Sequence, residues 1–392
     1  MYTLLLTYRI WKIKPIYPYS VKKVKTTIMN KIRNIINIFF AASAFCCTTT
    51  ISAQTATIHK QAILDKDLVP PANYSGIAYI GNNNYAVVSD KESTDGFYIF
   101  NILLDENTGK VEGVKRTEYR SSKAEKKDKQ GYSLRDIEGI AYRKKTNTFY
   151  LCGEGDQRII EYDENSKLTG KEFNVPNIFR KENVRVNSGF ESLSYNDKTD
   201  MFWTTTESTI KSDGNASSEK DLSIANNLRL QSFNSNLEPA GQYAYKMEKP
   251  LAYTDKTKID RFVHGVSEIC ALNDGELIVM ERELVVTKNK LNSYCNIRLF
   301  LVYPNKSKEI NESTSLTSLP ENMFLHKEEM CSFKTEISAK HQNLANYEGM
   351  CLGPKLKDGR QTLILINDTQ NGMKKSGFRL KEYLKVIVFD AD

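Results

Sequence analysis

Acidic residues recur at two places in five copies of a repeat, and they are the side chains best suited to chemistry. Four copies open on glutamate and the first opens on serine, at Ser75, Glu138, Glu191, Glu268 and Glu348. Each copy continues into a second apolar run that ends on an acid, at Asp90, Glu154, Glu207, Glu281 and Asp368. Clusters of oxygen ligands suit hard cations, and calcium takes about six to eight of them. The pattern therefore predicts a calcium site formed by Asp90, Glu138, Glu154, Glu191, Glu207, Glu281, Glu348 and Asp368.

The repeat also contains basic residues, which bear on how such a cluster is neutralised. Like charges in close proximity must be protonated, paired with a base or bound to a metal. Arginines lie beside the same motifs, at Arg135, Arg158, Arg185 and Arg282. Arginine is also suited to gripping a phosphate or carboxylate of a substrate. A structural alternative stays open for each acid, because repeated acids in such folds also cap loops by accepting backbone N–H bonds.

Strand signals dominate the chain. Short runs of Tyr, Ile, Val, Phe and Thr alternate with Asn, Asp, Gly and Lys turns, and helical periodicity is nearly absent. The second copy has four such runs, over residues 137–143, 148–152, 158–162 and 171–175. Four antiparallel strands per repeat form one blade of a β-propeller. The predicted fold class is all-β, a propeller with five countable four-stranded blades.

The sequence leaves two details of the propeller undecided, the number of blades and the way in which the circle of blades is closed. A sixth, degenerate blade would have to lie in residues 250–265 or in the insertion of the fourth copy, 304–321. The fifth copy shows only three clear strands, so we expect an N-terminal strand within 57–64 to complete it and remove the exposed edge. In a blade the first strand starts, and the second ends, at the same face. The acids are therefore expected around one mouth of the central channel.

The N-terminal region has the pattern of an export signal. Lys31 and Arg33 precede an apolar stretch over 35–47, and small residues follow up to Ala53. This pattern predicts a signal peptide at 29–53, a gene-model extension at 1–28 and a single propeller domain at 54–392. The expected location is periplasmic or secreted. A membrane anchor is the alternative, although the apolar stretch is short for a helix that spans a bilayer.

The charge of the predicted mature chain excludes some partners. The first 53 residues contain eight of the 55 basic residues and none of the 48 acidic ones, which leaves 47 against 48. A nearly neutral chain has no bulk attraction to nucleic acid. We expect a monomer with no stable membrane insertion after cleavage.

Five cysteines remain in the predicted mature chain, and their setting predicts their state. Cys152, Cys270 and Cys351 lie inside apolar runs and are expected to be buried as small hydrophobic residues. Cys295 and Cys331 flank a long loop, so a disulfide between them is one alternative. An odd count leaves at least one thiol unpaired.

The repeat motifs resemble those of a known family. The segments at 136–141, 187–193, 266–269, 280–282, 346–350 and 359–368 are similar, in this order, to the phytase-like family described as having esterase-like activity. The resemblance covers about residues 74–390. It implies an exported β-propeller that hydrolyses phosphate or carboxylic esters, and the well-studied propeller phytases bind several calcium ions on an acidic face.

The leading hypothesis is a calcium-dependent hydrolase of an anionic, small-molecule ester. Glu268 is the predicted general base and Arg282 the residue that grips the substrate, while Arg135 and His264 are expected to contact it. Two alternatives remain at this point: a non-catalytic module that binds calcium and a ligand, and a lactonase-type hydrolase.

Overall fold

The structure is a computed structural model, and it describes residues 56–123, 126–251, 259–369 and 380–390. The predicted signal peptide and the gene-model extension lie outside these ranges and stay predictions. Among the described residues, no helix is long and apolar enough to cross a membrane.

Five antiparallel sheets follow one another along the chain, each a propeller blade. After β1 (Thr57–Ile58) and β2 (Ala62–Ile63), the first blade consists of β3 (Tyr74–Gly81), β4 (Asn84–Ser89), β5 (Thr94–Leu104) and β6 (Val111–Lys123). The second blade consists of β7 (Ile137–Arg143), β8 (Thr148–Gly153), β9 (Ile159–Tyr162) and β10 (Leu168–Glu172). The third consists of β11 (Phe190–Asn196), β12 (Met201–Thr206), β13 (Asn227–Phe233) and β14 (Pro239–Lys246).

The last two blades complete a five-bladed propeller, as predicted. The fourth blade consists of β15 (Ile259–Ala271), β16 (Leu277–Thr287), β17 (Ser293–Val302) and β18 (Lys327–Ile337). The fifth contains β19 (Asn346–Lys355), β20 (Gln361–Asp368) and β21 (Tyr383–Phe389). The insertion in the fourth blade forms short 3-10 helices, so it supplies no sixth blade; they span Pro304–Lys306, Leu316–Ser318 and Glu321–Met323.

The ring is closed by the N-terminal segment, which confirms the predicted strand. Thr57 pairs with Val388, and Ala62 pairs with Leu384, so β1 and β2 both lie against β21. Pairing the outer edge of the last blade in this way removes a row of free backbone donors and acceptors.

The turn between the first two strands of each blade uses residues that tolerate a left-handed backbone. Positive φ values occur at these turns in all five blades, at Asn82, Asn83, Asn147, Asp200, Gly275 and Gly359. Asn, Asp and Gly adopt this region with less strain than other residues. This explains why the turn signals in the sequence locate the hairpins correctly.

Aromatic side chains pack neighbouring blades together. The rings of Phe97 and Phe149 stack between the first and second blades with centroids 4.2 Å apart. Tyr150 meets Phe202 edge-on between the second and third blades at 4.6 Å. Such pairs contribute about 0.5–1.5 kcal/mol beyond their buried area, and they stabilise the packing of neighbouring blades.

The five cysteines in the described part of the chain are all free thiols. Cys152, Cys270 and Cys351 are buried, as predicted. Cys295 and Cys331 are also free, which answers the question of their pairing. They lie on the adjacent strands β17 and β18, but Cys295 is opposite Thr335 and Cys331 is opposite Leu299. The two thiols are therefore out of register and form no disulfide.

Candidate functional site

A β-bulge interrupts the pairing of the first two strands in every blade. In the second blade Ile137 pairs with Gly153 and Gly139 with Cys152, so Glu138 is the extra residue. Glu191 and Glu348 are the extra residues of the third and fifth blades. The bulge of the first blade lies between Tyr74 and Ile77 and contains Ser75. Bulges re-aim side chains, and here they direct these residues toward one another at the mouth.

A glycine follows the bulged residue in three blades because adjacent first strands approach closely there. A Cβ atom at Gly139 would lie 2.7 Å from the backbone nitrogen of Leu193 in the next blade. One at Gly349 would lie 2.5 Å from the carbonyl oxygen of Ser75. Real Cβ atoms essentially never come so close. The glycines therefore allow a narrow ring of bulged residues.

In four blades an acid at or directly after the end of the second strand lies beside the bulge of the first strand. Gly153, Thr206 and Asn367 pair with the residue before each bulge, and an acid comes directly after each of them, at Glu154, Glu207 and Asp368. Asp90 has the same place after Ser89 in the first blade. These four acids and the bulged glutamates form a circle of side chains inside the propeller, and this circle is the ring described below.

The fourth blade breaks this pattern by one residue. Val266 pairs with Glu281 and Glu268 with Met280, so the extra residue is Ser267 and the residue after the pair is Arg282. A shift of one position turns a strand side chain to the opposite face. Ser267 and Arg282 therefore occupy the ring positions, and the ring contains seven carboxylates and one guanidinium, at Asp90, Glu138, Glu154, Glu191, Glu207, Glu348, Asp368 and Arg282.

Glu281 lies outside the ring, which corrects the placement expected from the repeat. Its carboxylate accepts hydrogen bonds from Tyr245 Oη at 2.7 Å and from Lys327 Nζ at 2.8 Å. The backbone N–H of Glu248 also donates to it, at 3.1 Å. Glu281 is thus satisfied between the third and fourth blades.

Glu268 lies in the channel and is 1% exposed. Its Oε1 accepts the backbone N–H groups of Leu193 at 3.2 Å and Ile269 at 3.0 Å. Burial raises the pKa of Glu268 well above its ordinary value. The described contacts do not join it to Arg282, so the structure does not bring the two predicted catalytic residues into one hydrogen-bonded group.

Arg282 is the centre of the ring. Nη1 donates to Glu348 Oε1, and to Asn346 Oδ1 at 3.3 Å. Nη2 donates to Glu207 Oε1, and to Glu191 Oε1 at 3.5 Å. The side chain is 3% exposed. One buried guanidinium of the fourth blade thus faces three carboxylates from the third and fifth blades, and its charge does not balance theirs.

A second group of acids lies between the first and second blades. Oxygen atoms of Asp90, Asp136 and Glu138 lie within 4.8 Å of one another. Lys91 Nζ bridges two of them, at 2.6 Å from Asp90 Oδ2 and 2.8 Å from Asp136 Oδ1. Asp136 was not predicted as a site residue. The sequence signal that could have identified Asp136 is its place two residues before Glu138. In the structure its φ is 52°, a left-handed backbone conformation that aspartate tolerates.

The crowding of these acids changes their protonation. Burial, followed by the charge of Glu191, raises the pKa of Glu138 well above its ordinary value. Burial, followed by the charge of Glu207, likewise raises the pKa of Glu191. Burial raises the pKa of Asp90 to about 6 and that of Glu154 to about 7. The ring therefore retains protons near neutral pH unless a cation replaces them.

The donor atoms of this region suit a calcium ion. Ser75 Oγ, Asp90 Oδ1 and Ser267 Oγ are buried without a hydrogen-bond partner within the described residues. Unsatisfied buried oxygen atoms cost about 1–3 kcal/mol each, and a hard cation would satisfy them. Asp90, Asp136 and Glu138 form a set of the oxygen ligands that calcium prefers, and Ser75 lies at the bulge of the first blade, opposite the strand end that precedes Asp90.

Arg135 and His264, the predicted substrate contacts, have structural partners. Arg135 donates to Asp156 Oδ2 at 3.0 Å, to Tyr162 Oη at 2.5 Å and to two backbone carbonyls. His264 Nδ1 lies 2.7 Å from Ser217 Oγ, and burial lowers the pKa of the imidazole to about 3. His264 is therefore neutral, and the role of both residues in substrate binding stays a prediction.

No curated protein matches the chain. Among solved structures, an endo-arabinase from Bacteroides thetaiotaomicron is similar over 85% of this chain and 98% of that one, at 11% identity and a TM-score of 0.40. The periplasmic gluconolactonase PpgL of Pseudomonas aeruginosa is similar over 81% and 88%, at 10% identity and a TM-score of 0.35. Neither likeness bears on function.

The sequence itself matches a family model. The model is described as phytase-like, with the esterase-like activity of phytase, and it matches residues 70–370. That range contains every ring residue, from Ser75 to Asp368. The chain is a five-bladed propeller that belongs to the phytase-like family.

Proposed function

We propose that the protein is a calcium-dependent hydrolase of phosphate or carboxylic esters that acts at the acidic mouth. The observation that carries this proposal is the excess of carboxylates in the ring over the one guanidinium that faces them. Membership of a family described by its esterase-like activity supports the reaction class. Bound calcium would polarise an ester oxygen and lower the pKa of a coordinated water.

The residues that would hold the ion are those with free oxygen atoms. We assign Asp90, Asp136 and Glu138 as ligands, with Ser75 contributing its unpartnered hydroxyl. Lys91 competes for the same two aspartates, and its side chain is 35% exposed, so it can turn toward solvent when the ion binds. The other predicted ligands, Glu191, Glu207, Glu348 and Asp368, line the rest of the ring.

We assign Glu154 as the general base. Its Oε1 accepts the backbone N–H of Gly189 at 3.1 Å, and its side chain reaches an open cavity beside the ring. Glu268, the base predicted from the sequence, is buried and bonded to backbone N–H groups. Arg282 is already surrounded by carboxylates, so we propose that it positions Glu207 and Glu348 rather than gripping the substrate.

We further propose that the protein is exported and acts as a monomer in the periplasm or outside the cell. The pattern of basic, apolar and small residues at 29–53 supports this location. N-terminal sequencing of the exported protein tests it. A terminus near Gln54 is expected, whereas an intact Met29 terminus would show a retained anchor.

A substrate panel tests the reaction. Aryl phosphates, aryl esters and lactones are each offered with calcium and with a chelator. Turnover of one ester class that is lost on chelation supports the proposal. Turnover of lactones alone would instead identify a lactonase-type hydrolase. Calcium binding without turnover of any substrate would make the propeller a binding module, a role with which the burial of Glu268 and the carboxylate contacts of Nη1 and Nη2 of Arg282 agree.

A further inference from the structure

A second cavity, of about 320 Å³, opens at the end of the propeller opposite the acidic ring, and we call it the far cavity. The first strand of every blade lines it, starting two or three positions beyond the ring residue, at Ile77, Ile140, Leu193, Cys270 and Met350. A strand rises about 3.3 Å per residue, so the far cavity begins roughly 7–10 Å beyond the ring. It is therefore separate from the acidic mouth.

The wall of the far cavity is nearly free of charge. Lys144 and Asp197 are the charged residues of the described chain that line it, and both are exposed at its rim. Two thiols also line it, those of Cys270 and Cys351. Burial raises the pKa of the Cys270 thiol to about 12 and raises that of Cys351 as well, so both stay neutral near pH 7. The interior of the cavity thus offers no charge to a ligand.

Three tyrosines at equivalent positions give the far cavity an aromatic side. Tyr79, Tyr142 and Tyr195 line it from the first strands of three consecutive blades, and each side chain is half-buried. Each ring packs against an aromatic residue of the second strand of its own blade, with centroids 4.9, 4.9 and 4.5 Å apart, at Tyr85, Phe149 and Phe202. The rings are therefore held in place, and the uncovered part of each is accessible to a ligand.

The polar groups of the wall are already bonded to other protein groups. Asn196 donates through Nδ2 to the carbonyl of Ala271 at 3.3 Å and to Asn273 Oδ1 at 3.2 Å. Ser194 Oγ accepts the backbone N–H of Ala271 at 2.9 Å. Two of the tyrosine hydroxyls donate to turn residues of their own blades at 2.9 and 2.7 Å, Asn147 and Asp200. Few hydrogen bonds are therefore left for a ligand.

We propose that the far cavity binds an uncharged, mainly apolar small molecule that contains an aromatic ring. Pockets for small molecules are concave and mostly apolar, with volumes of about 300–1,000 Å³, so this one suits a compact ligand. The half-buried tyrosines would contact its ring in stacked or edge-to-face arrangements. A charged ligand would lose hydration without gaining a partner in the wall, and a sugar would bury unpaired hydroxyl groups. The proposal does not depend on the proposed hydrolase, because none of the ring residues lines the far cavity.

Fluorescence titration of the full-length protein with N-phenylnaphthylamine, an uncharged probe whose emission rises in apolar surroundings, tests the site. Anilinonaphthalenesulfonate has the same aromatic framework with an added sulfonate, and it is the charged counterpart. We expect the uncharged probe to bind at least about tenfold more tightly than the charged one, because the wall offers no compensation for desolvating a sulfonate.

Substitutions in the wall locate the bound probe. Leu352 is half-buried in the wall, and Leu352→Asp should weaken binding of the uncharged probe at least about tenfold by placing a carboxylate there. The matched control is Leu103→Asp, at a leucine that is 43% exposed and lies outside the cavity, and it should bind as the wild type does. Ile80→Asp repeats the test on the first blade, and circular dichroism shows which variants are folded.

The possible outcomes are distinct. Absence of probe binding by the wild type, equal affinity for the two probes, or an equal loss in the control would overturn the proposal. Unchanged binding in a folded wall variant would place the probe elsewhere and overturn it too. Binding that weakens in the wall variants alone supports the far cavity as the site, and it does so whether or not the protein hydrolyses an ester.

Discussion

Removing the guanidinium at the centre of the ring should destabilise the protein in a pH-dependent way. In Arg282→Met, Glu191, Glu207 and Glu348 would lose the group that faces them, inside a site where Arg282 is 3% exposed. Breaking a buried ion pair by removing one partner costs about 3–5 kcal/mol. We expect a loss of this size in the free energy of unfolding at pH 8, with calcium chelated.

The loss of unfolding free energy should be smaller at low pH, because the glutamates that faced Arg282 can then be neutralised by protons. In the wild type, Arg282 lowers the pKa of Glu191 and Glu207 against the larger effect of burial. Without it both pKa values rise further, so the folded variant binds more protons than the folded wild type. For each additional proton, the difference in free energy of unfolding between the wild type and the variant grows by about 1.36 kcal/mol for every unit by which the pH rises. One such proton corresponds to about 4 kcal/mol between pH 5 and pH 8.

Urea denaturation at pH 5 and pH 8 measures this effect. The matched control is Arg120→Met, because Arg120 pairs with Glu118 at the surface, where the side chains are 33% and 47% exposed. Exposed pairs contribute about 0–1 kcal/mol. An Arg282→Met variant that loses the same free energy at both pH values, or no more than the control loses, would refute the reasoning.

Three further predictions concern the base, the ion and a buried acid away from the ring. Glu154→Gln should lower kcat by about 10²–10⁴ while Glu268→Gln leaves kcat largely intact; the reverse result in steady-state kinetics would return the role of base to Glu268. Calcium at about 100 times its dissociation constant should stabilise the wild type by about 2.7 kcal/mol in thermal unfolding, and Glu138→Gln should lose most of this gain; an unchanged gain would remove Glu138 as a ligand. Burial raises the pKa of Glu382 from 4.5 to about 8, so the unfolded state loses the proton first and stability falls as pH rises between these values. Glu382→Gln should therefore gain on the order of 4 kcal/mol over the wild type at pH 8 and almost nothing at pH 4, and equal gains at both would contradict the burial argument.

The fold could be predicted from the sequence because its signals are local. Turn residues such as Asn147 and Asp200 adopt positive φ, and the apolar runs on either side of each turn pair as antiparallel strands, as expected. The closing strand could also be predicted, because the fifth repeat of the sequence contains only three clear strands and needs a fourth from elsewhere in the chain.

The site could be predicted only in part because its positions depend on register. Glu138, Glu191 and Glu348 are the bulged residues of their blades, as the repeat suggests. Glu268 resembles them in sequence, yet the bulge of its blade is at Ser267. No residue type marks a bulge, and a slip of one position exchanges the two faces of a strand.

The pairing of β1 with β21 has a consequence for how the chain is made. Residue 57 must find residue 388, so the ring stays open until almost the whole chain is available. A chain cut short before residue 383 would lack β21 and expose β20, whose eight residues are all buried in the closed ring, as an unpaired edge. Exposed edges and late, long-range pairing both favour aggregation. An incomplete chain would thus differ from the intact protein by this exposed edge, and a chaperone or a protease could recognise it there.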